Sequence, residues 1–266
     1  DQARVIATMH TTSIGYKRNV YSRLPYAQLA RNEKRQKMGA IDVAIALERL
    51  ALRRAAVINC VSDNLCHEVR DWYGLDSVVR TRKGIRIPQV AHSDIDRSNA
   101  PFLFVGRLVA QKGLFDLLDA YSASGVKRPL QIVGDGVLRR QVEENAIRRG
   151  LNVTFLGYRS PEQLVAIFKQ SFALVVPSLY ETQPMVAFEG AAHGLPVLGY
   201  ETASIGDAVA PANQCLMVRG GDVAELANRI MFLDRDPDQA RSIGMENRRA
   251  YEEQDRFRLM IDDYLN

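Results

Sequence analysis

Short apolar runs of four or five residues alternate along this chain with stretches whose apolar residues recur at helical spacing. That alternation constrains the fold most, because strand–helix repeats of this kind build parallel α/β sheets. The clearest set begins at Phe102. Strands are expected at Phe102–Val105, Leu130–Val133, Val153–Leu156, Ala173–Val176, Pro196–Leu198 and Cys215–Val218. Between them, Leu114, Leu117, Leu118 and Tyr121 form a helical stripe, and a polar, basic helix covers 137–149. Ser160-Pro161-Glu162-Gln163 reads as a capped helix start, with proline at the first helical position and glutamine at the capping-box site. A short helix follows Pro184, placed at its first helical position, and helices over 222–233 and about 238–263 complete the set.

The first hundred residues repeat the theme with fewer strands. Val5–Met9 and Ala55–Val61 read as strands, Ile41–Leu52 as an amphipathic helix, and Ser62–Tyr73 as a helix capped by Ser62. Arg86–Val90 reads as a short extended piece and 91–100 as a linker. Charge divides along the same line: residues 1–100 carry seventeen Lys and Arg against ten Asp and Glu, and the remainder carry eighteen against twenty-one. A basic half suits an anionic partner, and the run Arg31, Lys34, Arg35, Lys37 could touch an anionic lipid at a membrane surface or an anionic acceptor, although a hydrated helix face is the favoured reading. No nucleic-acid partner is expected, since basic–aromatic interleaving is absent. No apolar run approaches the roughly 20 residues of a membrane span. Three cysteines in 266 residues and an amino end unlike a signal peptide point to a cytoplasmic, reducing compartment. Cys215 is expected in the core. The start at Asp1 points to a processed or incomplete amino end.

The chemistry-bearing residues gather just after the strands of the second set. Glu181 and Glu189 lie eight residues apart, the first in a loop after an apolar strand, the second in a helix apolar on nearly every face (Met185, Val186, Ala187, Phe188, Ala191, Ala192). A carboxylate in such a helix is costly unless it is hydrogen-bonded or paired. A ribose diol would supply two donors, as acidic residues of dinucleotide-binding folds illustrate; an internal ion pair or cap would serve as well. Gly106-Arg107 and Lys112-Gly113 run from strand to helix start, where backbone amides and two cations suit a diphosphate, though surface cations beside turn glycines look the same. Gly134-Asp135-Gly136 and Gly157-Tyr158 also follow strands, where glycine permits a sharp turn or close approach. A full G-x-G-x-x-G is absent, since position 139 is Arg, which with the paired glutamates disfavours a nicotinamide-dependent dehydrogenase. Asp94/Asp96, Asp234/Asp236 and Asp236/Asp238 spell the D-x-D of metal-dependent transferases, but none follows an apolar strand. Cys60, Cys66 and His67 lack zinc-site spacing, and His193 is placed to cap the helix before it.

Four blocks in this order, 106–113, 133–136, 155–158 and 177–197, resemble the retaining glycosyltransferases of the GT-B class with paired glutamates (E-x7-E, group 1). The resemblance covers most of 101–210, and its last block is the specific one. It implies an α/β, GT-B-like fold: a complete doubly wound Rossmann-type carboxyl-terminal domain over 97–250, a partial or small acceptor-side α/β domain over 1–96, and a terminal helix over 251–266 packing back on the first domain. It implies transfer of a sugar from a nucleotide diphosphate sugar, UDP- or GDP-linked, to an acceptor hydroxyl with retention, by same-face attack within an ion pair. Arg107 and Lys112 would hold the diphosphate, Glu189 the ribose, and Glu181 the transferred sugar. Backbone amides near Gln183–Met185 would meet phosphate or sugar, although Pro184 has no N–H to offer. Gly106 and Gly134 would line the donor site, and Gly157 and Tyr158 would lie near the base. His10, ending the strand Val5–His10, would face the donor sugar, though a histidine capping its own strand explains it too. No metal is strictly required. The alternatives are a sugar-nucleotide epimerase on the same architecture and a donor-binding remnant without transferase activity.

Overall fold

The computed structural model describes residues 6–23, 39–81, 97 and 99–253. Arg86–Val90, most of the linker, the basic run 31–37, Asp94, Asp96 and the terminal helix beyond 253 lie outside the described residues. The chain divides into two compact units. One comprises, among the described residues, 6–81 together with Tyr180–Gln183; the other comprises 97–179 and 184–253.

The first unit is built on a three-stranded parallel sheet, β1 (Ile6–Met9), β2 (Val57–Cys60) and β3 (Val78–Arg80), in that order. A four-residue helix, α1 (Ser13–Tyr16), follows β1 and runs into a π-helical turn over Lys17–Tyr21. Helix α2 (Ile41–Leu52) and helix α3 (Asp63–Tyr73) complete it. Ser62 caps α3 by accepting the Leu65 N–H, and Gly74 closes it in the left-handed conformation. The core gathers Met9, Leu52, Ile58, Cys60, Leu65, Cys66, Val69, Tyr73 and Val78. Cys60 and Cys66 hydrogen-bond each other within it, and both are free thiols.

The second unit carries six parallel strands: β4 (Phe102–Val105), β5 (Leu130–Val133), β6 (Val153–Gly157), β7 (Ala173–Val176), β8 (Val197–Tyr200) and β9 (Met217–Val218). Their spatial order is β6-β5-β4-β7-β8-β9. The order reverses between β4 and β7, the arrangement of a doubly wound dinucleotide-binding sheet. Strands β7 and β8 are buried at every residue, which is why each reads as an unbroken apolar run. Helices α4 (Leu114–Ser124), α5 (Arg139–Arg148), α6 (Pro161–Lys169), α7 (Met185–Ala192), α8 (Val223–Arg235) and α9 (Pro237–Glu253) cover the sheet. The Ser160–Gln163 capping box forms at the start of α6, with Pro161 first in the helix. Asn247 of α9 donates to the Leu195 carbonyl at 2.9 Å and to Asn213 Oδ1 at 2.8 Å, and Asn213 pairs in turn with the backbone of Val197.

Three expectations are corrected. Pro184 is the residue flanking α7 (ψ 95°), and the helix begins at Met185, because its ψ is extended rather than helical. Met185 is exposed, so α7 is not buried on every face. Cys215 is exposed in a 3-10 segment over Pro211–Leu216, and only Met217–Val218 pairs as a strand. A sulfur that donates to the Ala212 carbonyl in that turn has no sheet neighbour to bury it.

Candidate functional site

In open α/β sheets, ligands bind outside the carboxyl ends of the strands where the strand order reverses. In the second unit that point lies at the ends of β4 and β7. The loops there are joined backbone to backbone. Gly106 N–H donates to the Val133 carbonyl (3.0 Å), Leu108 N–H to the Asp135 carbonyl (2.9 Å), Gly134 N–H to the Gly157 carbonyl (2.9 Å), and Leu179 N–H to the Gln111 carbonyl (2.9 Å). Two glycines make this possible. At Gly113, φ is +64° and a Cβ would lie 1.9 Å from the Pro177 carbonyl oxygen; at Gly134, φ is +127° and a Cβ would lie 1.9 Å from the Gly106 carbonyl oxygen. Sequence reasoning allowed these glycines a sharp turn or a ligand's approach; here they let one loop approach the next.

This fused rim presents the cations. Arg107 follows β4, is exposed, and its guanidinium has no partner among the described residues. Lys112, half-buried, lies alongside Gly106: its Cε is 3.7 Å from the position of a Cβ on that glycine. Gly157 ends β6 in the left-handed region, and Tyr158 beyond it is 75% exposed, a flat ring open to solvent.

Glu189 sits one turn into α7. Its carboxylate is half-buried, and no described residue hydrogen-bonds or ion-pairs with it. Burial alone pushes its carboxyl above the usual carboxylate range. Its side chain is thus neither fully exposed nor ion-paired among the described residues. Four residues on, His193 flanks the helix end: its Nδ1 stands 2.7 Å from the Glu189 carbonyl oxygen, its ring stacks on Phe168, and burial holds it below the usual imidazole range.

His10, Glu181 and Gln183 belong to the first unit. His10 is exposed just past the carboxyl end of β1, and its carbonyl accepts the Thr182 hydroxyl. Glu181 is half-buried, between Tyr180 and Thr182, both tied to the His10–Thr12 segment. Gln183, two residues after Glu181, buries its side-chain oxygen with no hydrogen-bond partner among the described residues. Sequence reasoning missed Glu68, which receives the Thr12 and Tyr180 hydroxyls in a buried cluster. No local pattern marks it, since the partners stand 56 and 112 residues away.

Of the described D-x-D residues, two have structural work and Asp238 is exposed in the first turn of α9. Asp234 pairs with Arg128 at 2.7 Å, and Asp236 caps α9 by accepting the Gln239 N–H at 2.9 Å. Among the described residues, no helix is long and apolar enough to cross a membrane.

The model of the family described as Glycosyl transferases group 1 matches residues 89–250, more than half of the chain. Among curated relatives, a 2-deoxystreptamine glucosyltransferase from Streptomyces kanamyceticus is 26% identical over 226 residues, covering 76% of this chain and 58% of its own. The chain spans between 26% and 58% of the length of the first curated relatives it matches. Among solved structures, sucrose-phosphate synthase from Thermosynechococcus elongatus aligns with a TM-score of 0.79 at 22% identity, over 97% of this chain and 65% of that one. Anabaena HepE, solved with UDP-glucose, aligns with a TM-score of 0.75 at 18% identity, over 99% and 71%. These neighbours share the GT-B fold, as the motif order implied.

Proposed function

The chain belongs to the glycosyl transferases group 1 family, and from that premise we propose that it transfers a hexose from a nucleotide diphosphate sugar to an acceptor hydroxyl, with retention of configuration. The observation that carries this reading is Glu189: a half-buried carboxylate without a partner among the described residues, on the helix that follows the β7 loop. A ribose offers what it lacks, two adjacent hydroxyl donors. The diphosphate would be met by Arg107 and Lys112, whose two positive charges offset its charge without requiring a metal. Tyr158 would serve the base. His10 and Glu181 would serve the transferred sugar, and the Gln183 side-chain oxygen one of its hydroxyls.

In the transfer, the acceptor oxygen forms a bond to the anomeric carbon as the bond from that carbon to the diphosphate breaks. The electron pair leaves with the diphosphate, and the acceptor proton passes to the departing phosphate oxygen on the same face. The two cations stabilise charge that grows in the transition state, so their contribution falls on rate as well as binding. HepE, a neighbour in fold, was solved with UDP-glucose, which supports a nucleotide-sugar donor.

A thermal-shift panel of UDP-, GDP- and ADP-sugars tests the reading, because a ligand that binds only the folded state raises the melting temperature. The expected result is a rise with one nucleotide series, and release of the nucleotide when an acceptor is supplied. A donor converted to another sugar nucleotide without acceptor would identify an epimerase instead. No shift with any of the three series would overturn the reading.

A further inference from the structure

The transfer proposed above gives no work to a carboxylate buried more deeply than either motif glutamate. Glu68 lies on α3 and is 8% exposed. It accepts the Thr12 hydroxyl at 2.6 Å and the Tyr180 hydroxyl at 2.7 Å. The Tyr180 oxygen accepts the Thr12 N–H at 3.2 Å, and Thr12 Oγ1 accepts the Gly15 N–H at 2.9 Å. Gly15 packs against the same tyrosine: a Cβ there would stand 2.4 Å from its oxygen. All these residues belong to the first unit. Neither hydrogen bond to Glu68 comes from a cation, and Arg18, the cation that acts on it electrostatically, lies over the Trp72 ring.

A buried carboxylate held only by two hydroxyls adds little to stability over well-packed apolar groups. What such a cluster supplies is a unique geometry. Its outputs here are the two segments that carry the residues assigned to the sugar. Tyr180 immediately precedes Glu181, Thr12 follows His10 by two residues, and the Thr182 hydroxyl on the His10 carbonyl ties the far side of Glu181 to the same strand end. We propose that Glu68 is a positioning residue, setting Glu181 and His10 through Tyr180 and Thr12. The proposal rests on the transfer reading for its kinetic consequence but not for its structural one.

The test uses the full chain with Glu68→Ala, Glu68→Gln and Tyr180→Phe, and Ile58→Ala as a control that loosens the same unit's core without touching the cluster. Hydrogen exchange at 8–16 and 178–186 is read first, without substrate. Glu68→Ala and Tyr180→Phe are expected to raise exchange in both segments at least about tenfold above the Ile58→Ala control, a local opening rather than a global one. With the donor found by the panel, kcat should fall roughly 100-fold, the scale of an ångström-level misplacement, while affinity for that donor's nucleoside diphosphate and donor KM stay within about threefold. Glu68→Gln should recover most of kcat, because both hydroxyls donate to the single oxygen Oε2 and an amide carbonyl oxygen in its place accepts the same two bonds. Exchange and kcat no worse than the control, or a loss confined to nucleoside diphosphate affinity, would overturn the proposal. If Glu68→Ala does not fold, Tyr180→Phe decides it by the same readings. If the native chain binds no nucleotide sugar, the transfer reading falls alone, and the exchange measurement still decides whether Glu68 holds the two segments.

Discussion

Replacing Glu189 with glutamine changes one charge and almost no volume, and the structure predicts opposite effects on the free and the liganded protein. In the free protein the carboxylate is half-buried and has no partner among the described residues. A neutral amide therefore relieves a desolvation cost and breaks no ion pair, so unliganded stability should hold or rise by up to about 1 kcal/mol. Had the carboxylate been paired inside the fold, removing its charge would cost about 3–5 kcal/mol. With nucleotide bound, the variant loses charge-assisted hydrogen bonds from two hydroxyls, about 1.5–3 kcal/mol in all. That is roughly a 10- to 150-fold weaker dissociation constant. At a fixed nucleotide concentration the ligand-induced rise in melting temperature should shrink by about 3–12 °C, since each kcal/mol moves a chain of this size by about 2–4 °C. The pH dependence adds an independent check. Burial raises the folded-state carboxyl above its unfolded value, so its contribution is fully present below the unfolded pKa and is lost as pH rises through the folded one. The stability advantage of Glu189→Gln should thus appear at pH 7 and fade as pH approaches 4. Calorimetry against UDP and GDP, with unfolding scans at both pH values, makes the comparison. A variant that is destabilised without ligand yet binds nucleotide unchanged would refute the reasoning, because the acid would then be structural.

Three further outcomes are expected. Gly113→Ala should lower the melting temperature by more than about 4 °C, since it adds a clash with the Pro177 carbonyl to a left-handed backbone penalty of about 1–2 kcal/mol; Gly125→Ala, with φ +66° and open space, should cost the backbone penalty alone, and equal shifts would contradict the loop contact. Arg107→Ala should leave unfolding within about 0.5 kcal/mol, weaken UDP or GDP binding by about 1–2 kcal/mol, and flatten its salt dependence; isothermal titrations at two salt concentrations that superimpose would remove Arg107 from the diphosphate. His193 is held below its usual range by burial, with Arg97, Lys169 and Arg248 also disfavouring its charge and the Glu189 carbonyl favouring it. Its neutral folded form binds no proton where the unfolded chain does, so stability should fall by up to about 1.4 kcal/mol per pH unit below about pH 6.5. Denaturant melts of His193→Phe should lose that slope, and an unchanged slope would assign it to another group.

The strands of the second unit were legible because they are buried on both faces and so read as apolar runs with glycine or a turn behind them. The capping serines were legible for a different reason: a hydroxyl that accepts an amide three residues on is a local event. Where an element is very short or irregular, the pattern failed. Strand β3 (Val78–Arg80) is too short to show a period, and the π-helical turn over Lys17–Tyr21 has no sequence signature. Pro184 fits a helix start by type, yet its ψ of 95° leaves it outside the helix. Cys215 was placed in the core by residue type, and the edge of the sheet left it exposed.

Local sequence determined which segments become strands and helices, and that glycines, cations and glutamates follow the strands, because spacing and capping act over a few residues. Only the tertiary structure decided that Gly113 and Gly134 serve loop against loop, that Glu189 has no partner among the described residues, and that Glu68 collects hydroxyls from residues 56 and 112 positions away. A desolvated group's state depends on which neighbours the fold brings within hydrogen-bond reach, and those neighbours are chosen by the packing of distant segments.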